Sequence, residues 1–422
     1  MTGPVRGTHH ASSRSAVLDV IRAAGTISRV GLIQATGFTG ATISTVVRRL
    51  IDDGLVMEIG RAESTGGKPR VLLRLNHTSR YAVGVQLDHA GITYVLTDLA
   101  GSVVSRIARA GAGTAEPPAV VARMAREVRS LIDGAGVDPD RVLGIGLVSP
   151  GPLTPASGMG LTPPVMRHWE DFPLDQALSE AARLPVVLDN DATAAALGEH
   201  WSGVVGTSRT FAAVYMGGTG IGTGLMIDGV VYRGASGNAG EIGHICLDVA
   251  GPVCWCGARG CTEALAGPAA VVAEARADGR LARAAGLAKA DDQQRIAADF
   301  AALTRAARRG DSTARGLLER SARYLAVASR TLANIMDLEL LVLTGPSLAS
   351  AGSIYLPVVR DELDRSFFAR ATHPIDVQLS TSAAAAPAIG AATLVLQTEL
   401  VPLREGLRLP GRLGSREPAS AN

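Results

Sequence analysis

The sequence predicts an α/β protein with a winged helix-turn-helix head and a two-lobed body. Three observations carry this. Residues 28–53 read as a short helix, a glycine turn and a helix that opens on small polar residues. The stretches YAVGVQLDHAGITYVLTDLAG (81–101) and FAAVYMGGTGIGTGLMIDGV (211–230) repeat one plan of strand, turn, strand, turn. Three of the four cysteines crowd into CWCGARGC (254–261).

At 422 residues the chain is long enough for two or three domains. Four cysteines are too few for a disulfide framework at this size, and their clustering fits metal binding in a reducing compartment. The N-terminus lacks the apolar stretch of a secretory signal, and no apolar run approaches the ~18 residues of a membrane span. A soluble, cytoplasmic protein with no membrane partner is therefore expected. The net charge is +2, unevenly placed: residues 1–76 hold ten of the 41 basic and five of the 39 acidic residues, or +5, and the remainder −3. A basic head on a slightly acidic body points to nucleic acid at the head. Only Lys68 and Lys289 are lysines, so arginine richness alone decides nothing.

In the head (8–76), Val17, Leu18 and Ile21 give a first helix that stops at Gly25. Ser28 is a candidate N-cap for the second, with Val30, Ile33 and Ala35 expected inward and Thr36-Gly37 supplying the turn. A third helix is expected over about 40–53, buried along Ile43, Val46, Val47 and Leu50. Thr39, Thr42, Ser44, Thr45 and Arg48 would then face a DNA groove, with Arg49 beside them; hydroxyls allow close approach and arginine reaches phosphate or guanine. Two strands around Gly66-Gly67-Lys68-Pro69-Arg70 would form a basic wing, with Lys68 and Arg70 on the phosphates. The bland alternative is a three-helix packing domain with a polar loop.

In the body, helices are expected near 116–133, 173–183, 191–201, 268–277, 291–309, 312–336 and 384–399, and buried strands at 185–188 and 338–343. The lobes are expected at 80–205 and 206–383, with the helix at about 384–400 returning to the first; residues 403–422 read as a disordered tail. Ligands of such folds sit in the crevice at the strand ends. GGTGIGTG runs into a strand, not a helix, which disfavours a dinucleotide fold and leaves a phosphate cradle or a ligand-free hairpin.

His244, Cys254, Cys256 and Cys261 follow H-x9-C-x-C-x4-C, a donor set able to close a tetrahedral zinc site with no open position. Cys246 is expected in the core, as part of the strand-like ICL.

EIGH followed by CWCGARGCTE resembles the signature of the ROK family of repressors, sugar kinases and uncharacterised proteins, over about residues 12–400. The resemblance implies an actin-like, hexokinase-like (ribonuclease H-like) two-lobed fold and a zinc-bound His244 that also touches a sugar. It implies sugar contacts from Asn190 and Asp191 in LDNDATAAALGE and from Glu241 and Glu263, with Gly144–Leu153 as a loop on the cleft floor. Kinases of the family hold ATP phosphates on an Asp-x-Gly-x-Thr loop; here those places read Gln86, Asp88 and Ala90, and the later glycine pair reads Leu343-Thr344-Gly345-Pro346. A carboxylate where phosphate should sit opposes phosphoryl transfer. The expectation is a sugar-responsive repressor, a homodimer or tetramer on palindromic operator DNA, whose effector is a sugar or sugar-phosphate. The alternative is an ATP-dependent hexose or N-acetylhexosamine kinase with Asp191 as base; a third reading makes the head a dimerisation module.

Overall fold

The computed structural model describes residues 13–61, 70–154, 158–159, 162–202, 205, 208, 210–218, 220–289 and 292–400. Residues 8–12, the wing tip with Lys68, and the tail 403–422 lie outside these.

The head is α1 (Ser13–Ala24), β1 (Ile27–Ser28), α2 (Arg29–Thr36), α3 (Gly40–Asp52), β2 (Val56–Arg61) and β3 (Val71–Leu75). Ser28 caps α2 by accepting from Gly31 N, and Gly37, at φ +71°, ends it in the left-handed region that glycine tolerates. Thr39 caps α3, and the two helices meet at 118°, a helix-turn-helix angle. The inward face of α2 differs from expectation: Leu32 is fully buried, Ile33 half-buried, and Val30 and Ala35 are exposed. A helix of eight residues is too short for periodicity to fix its facing, which is set by packing on α1 and α3.

Lobe 1 continues with β4 (Tyr81–Leu87), β5 (Gly91–Asp98), β6 (Val103–Ala110), α4 (Pro117–Gly134), β7 (Val142–Ser149), a hairpin of β8 (Leu153–Thr154) and β9 (Gly158–Met159), α5 (Leu174–Ala182), β10 (Val186–Asn190) and α6 (Asp191–Trp201). Its sheet runs β10-β7-β4-β5-β6: an antiparallel meander, with two strands parallel to β4 added on the far side. Lobe 2 contains β11 (Phe211–Met216), β12 (Ile221–Ile227), β13 (Val230–Tyr232), α7 (Thr262–Ala266), α8 (Pro268–Ala277), α9 (Gly279–Ala285), α10 (Ile296–Arg308), α11 (Ser312–Met336), β14 (Leu340–Thr344), α12 (Pro346–Ser366) and β15 (Asp376–Leu379). Its sheet, β13-β12-β11-β14-β15, follows the same plan: meander, then two parallel strands. The repeated strand-turn-strand motif thus marks a repeated sheet. Residues 144–149, expected as loop, belong to β7, between β10 and β4 in the sheet; 150–152 then lead out to β8.

The last helix, α13 (Ala386–Leu400), packs on β4, β7 and α6. Glycines permit this approach: a Cβ on Gly84 would lie 1.9 Å from Ala388 O, and one on Gly146 would lie 1.8 Å from Ala391 O. Val17, Leu18 and Ile21 of α1 share one apolar cluster with Ala388, Ile389 and Ala392, so α13 also joins the head to lobe 1. Among the described residues no single helix is long and apolar enough to cross a membrane.

Candidate effector cleft, metal cluster and DNA-facing helix

Asn190 ends β10 and caps α6, its Oδ1 accepting from Thr193 N at 3.0 Å. That capping geometry puts Asn190 and Asp191 at the carboxyl end of a parallel strand, facing lobe 2. There they meet Glu241, His244 and Glu263 around a small polar cleft of about 50 Å³. All five residues singled out for sugar binding are therefore neighbours in space.

Glu263 sits in the first turn of α7 and accepts from Ile221 N at 2.9 Å and from the indole N–H of Trp255. Trp255 also meets the His244 ring edge-on, with centroids 5.2 Å apart. The side chain between two cysteines thus fixes two cleft residues at once. Burial raises the Glu263 carboxyl. Glu241, open to solvent at the rim, is raised by partial desolvation and then by the Glu263 charge.

Asp191 is almost fully buried, and its carboxyl is pushed up to about 7, first by burial and then by the nearby Asp88 charge. An unfolded aspartate titrates near 3.9, so the folded chain holds this proton more tightly. The stability it contributes is complete below about pH 4 and is lost as pH rises through about 7. Asp191→Asn should abolish that loss. Thermal unfolding should find the variant more stable than wild type at pH 8, by on the order of 2–4 kcal/mol, and equal to it at pH 4. Equal pH profiles would refute the raised carboxyl.

Gln86 and Asp88, singled out from the first hairpin, make contacts between the lobes. Gln86, at the end of β4, donates from Nε2 to the Tyr215 hydroxyl at 2.6 Å. Asp88 is buried at the hairpin tip, raised by burial, and its Oδ2 accepts from Gly218 N at 3.4 Å. A backbone N–H of the second glycine loop is therefore already taken by a carboxyl oxygen from within the chain. Two further interlobe links escaped sequence reasoning: Arg233 on Asp189 at 2.7 Å, and Asn238 on the backbone of Leu153, accepting at 3.0 Å and donating at 3.2 Å. No motif marks them. Trp255 could have been found, since it lies inside the cysteine stretch.

The donor atoms of His244, Cys254, Cys256 and Cys261 lie within 4.8 Å of one another. The Cys256 and Cys261 sulfurs are 3.7 Å apart, as are His244 Nδ1 and Cys254 Sγ. Metal–sulfur bonds of about 2.3 Å give tetrahedral edges of about 3.8 Å, so the four residues fit a tetrahedral metal. His244 reaches the cluster through Nδ1 and also lines the cleft. Cys246 is exposed, not in the core as expected: ICL is no strand, and Cys246 makes only an isolated bridge to Cys261.

In the head, Ser44, Thr45, Arg48 and Arg49 are exposed along α3, and Arg70 is exposed at the start of β3. Thr39 and Thr42 are partly engaged at the cap: Thr42 N donates to Thr39 Oγ1, and the two hydroxyls lie 2.9 Å apart. A direct path joins this head to the cleft. Helix α6 starts at the Asn190 cap and ends at Trp201, whose ring lies 4.1 Å beneath the Arg22 guanidinium of α1.

The ROK family model matches residues 82–398. The xylose repressor of Bacillus subtilis (strain 168) is 33% identical over 246 residues, 58% of this chain and 63% of that protein. A putative xylose repressor of Caldicellulosiruptor sp. (strain Rt8B.4) is 29% identical, covering 89% of this chain and 93% of its own. The transcriptional regulator NagC of Escherichia coli (strain K12) is 27% identical over 82% of each chain. Among solved structures, a ROK transcriptional regulator homologous to E. coli MLC superposes with a TM-score of 0.71 at 25% identity, covering 92% of this chain and 96% of that one. A ROK glucokinase from Streptomyces griseus, solved with glucose and AMPPNP, gives 0.62 at 27% identity, over 74% and 98%. The chain belongs to the ROK family.

Proposed function

We propose that the protein is a sugar-responsive transcriptional repressor without sugar kinase activity. The relatives cited above that align along more than 80% of the chain are named repressors or transcriptional regulators. The observation that carries the reading is the first hairpin: Gln86 and Asp88 fill the phosphate-facing side and bond across to Tyr215 and Gly218. A carboxylate there repels the phosphate that a kinase must stabilise. Asp191, the one retained candidate base, serves as a sugar ligand alongside Asn190, Glu241, His244 and Glu263. ADP release on adding a sugar, lost in Asp191→Asn, would instead establish the kinase.

Zinc at His244, Cys254, Cys256 and Cys261 is structural, since four protein donors leave no open position. It fixes the His244 ring through Nδ1 and leaves Nε2 for a sugar hydroxyl.

The head reads operator DNA through Thr39, Thr42, Ser44, Thr45, Arg48 and Arg49, with Lys68 and Arg70 of the wing on the backbone. In a homodimer, two such heads match half-sites about one helical turn apart. A sugar that binds one lobe arrangement more tightly shifts the equilibrium toward it, and α6 carries the shift to α1 through the Trp201–Arg22 stack. Fluorescence anisotropy on upstream duplexes, at fixed salt and with a sugar panel, tests this. One sugar should change specific binding; no specific binding would refute the repressor.

Two variants sharpen it. Arg48→Ala should weaken operator binding about tenfold or more without altering sugar affinity. Trp201→Ala should retain both bindings while the sugar's effect on DNA affinity falls several-fold, because a stack of about 0.5–2 kcal/mol is lost from the path. Unchanged coupling would rule out α6 as that path.

A further inference from the structure

A larger cavity adjoins the polar cleft. It measures about 340 Å³ and shares Pro163, Trp255 and Glu263 with the cleft. Its remaining wall comes from both lobes and is chiefly alanine, proline and aliphatic: Ala90, Val165, Val253, Ala270, Ile296 and Ala297 are typical. Among the described residues no Arg or Lys lines it, and its polar side chains are few, chiefly His89, Gln294 and Glu263. Gly218, whose N–H could have held an anion, is part of this wall and already faces the buried Asp88 carboxylate.

Resting on the sugar-responsive reading above, we propose that the effector is a neutral glycoside: its sugar ring lies in the polar cleft and its apolar aglycone in the adjoining cavity. Pro163, Trp255 and Glu263 border both spaces, so a substituent on a sugar in the cleft has only to pass these side chains to enter the cavity. Charge selects against the other candidates. A nucleotide or sugar-phosphate would bring negative charge to a wall with no cation and with Asp88 behind Gly218. A second sugar ring would bury more hydroxyls than so few polar side chains can satisfy. An aryl or alkyl group needs only the apolar surface present, and burying it adds affinity in proportion to area.

The test is isothermal titration calorimetry of the full-length, metal-loaded protein. The probes are free xylose, glucose and N-acetylglucosamine, the 4-nitrophenyl α- and β-glycosides of each, xylobiose, cellobiose and ATP. At least one aryl glycoside should bind about tenfold or more tightly than its parent sugar. Ala270→Phe, which fills the cavity, should erase that advantage and leave free-sugar binding unchanged; Ala297→Leu serves the same purpose if the first variant does not fold. Equal affinity for glycoside and free sugar would overturn the proposal while leaving the sugar-responsive reading intact. So would tighter binding of a disaccharide than of any aryl glycoside, or ATP binding that Ala270→Phe blocks. No binding of any sugar or glycoside would overturn both.

Discussion

Replacing Cys261 by Ser is expected to strip the chain of metal and unfold the loop that presents the cleft. Cys261 is fully buried, belongs to the four-donor cluster and stands at the N-cap position just before α7, two positions before Glu263. Its loss therefore releases Glu263 and His244 together. Structural zinc contributes about 10–16 kcal/mol of apparent binding energy in isolated fingers; within a lobe already held by its own core, a loss of several kcal/mol is expected. Elemental analysis should fall from one zinc per chain to nearly none, the unfolding temperature should drop by on the order of 10 °C, and the sugar response should vanish. Cys246→Ser, outside the cluster, should change none of these. Full zinc retention in Cys261→Ser would undo the cluster assignment.

A comparable loss should follow Gly390→Ala. A Cβ at this position of α13 would fall 1.7 Å from the Ala194 carbonyl oxygen of α6, and the reciprocal glycine, Gly198, would place one 2.2 Å from Ala386 O. Both obstacles are main chain in a helix, so no rotamer change relieves them. The helices must separate, and α13 must lift from β4 and β7. Overpacking commonly costs about 1–3 kcal/mol, and a backbone clash this close should exceed that range, seen as insoluble expression or a much lower denaturant midpoint. Gly316→Ala provides the contrast. Gly316 lies within α11, where an added Cβ meets nothing within 4 Å, so alanine should stabilise the chain by about 1 kcal/mol. A soluble Gly390→Ala protein with an unchanged midpoint would mean the helices are not locked in this contact.

Much of this architecture was legible in the residues. Helices with a strong apolar stripe, such as α3 along Ile43, Val46, Val47 and Leu50, could be placed nearly to the residue, because burial and period coincide. The metal cluster was legible because four uncommon side chains at loop spacing have few other uses. Less accessible were β6 and β15, edge strands without a clean alternation, and α12, whose internal Pro357 hides its helical pattern. Cys246 was misplaced because three apolar or thiol residues in a row look buried until the loop's path is known. The interlobe pairs Arg233–Asp189 and Gln86–Tyr215 join residues 44 and 129 positions apart. Spacing carries no information about such contacts; only the folded sheets bring them together.

The placement of α13 also governs the order in which this protein can assemble. Lobe 1 draws its strands from residues 81–190, yet the helix that covers β4 and β7 begins at Ala386. A ribosome that has extruded the head, both sheets and every other helix has still not supplied that cover, and α1 lacks one of the elements it packs against. The first lobe to be translated is thus the last to be finished. Any message cut short before residue 386 yields a chain in which the β4–β7 face of lobe 1 and one apolar face of α1 are both left uncovered.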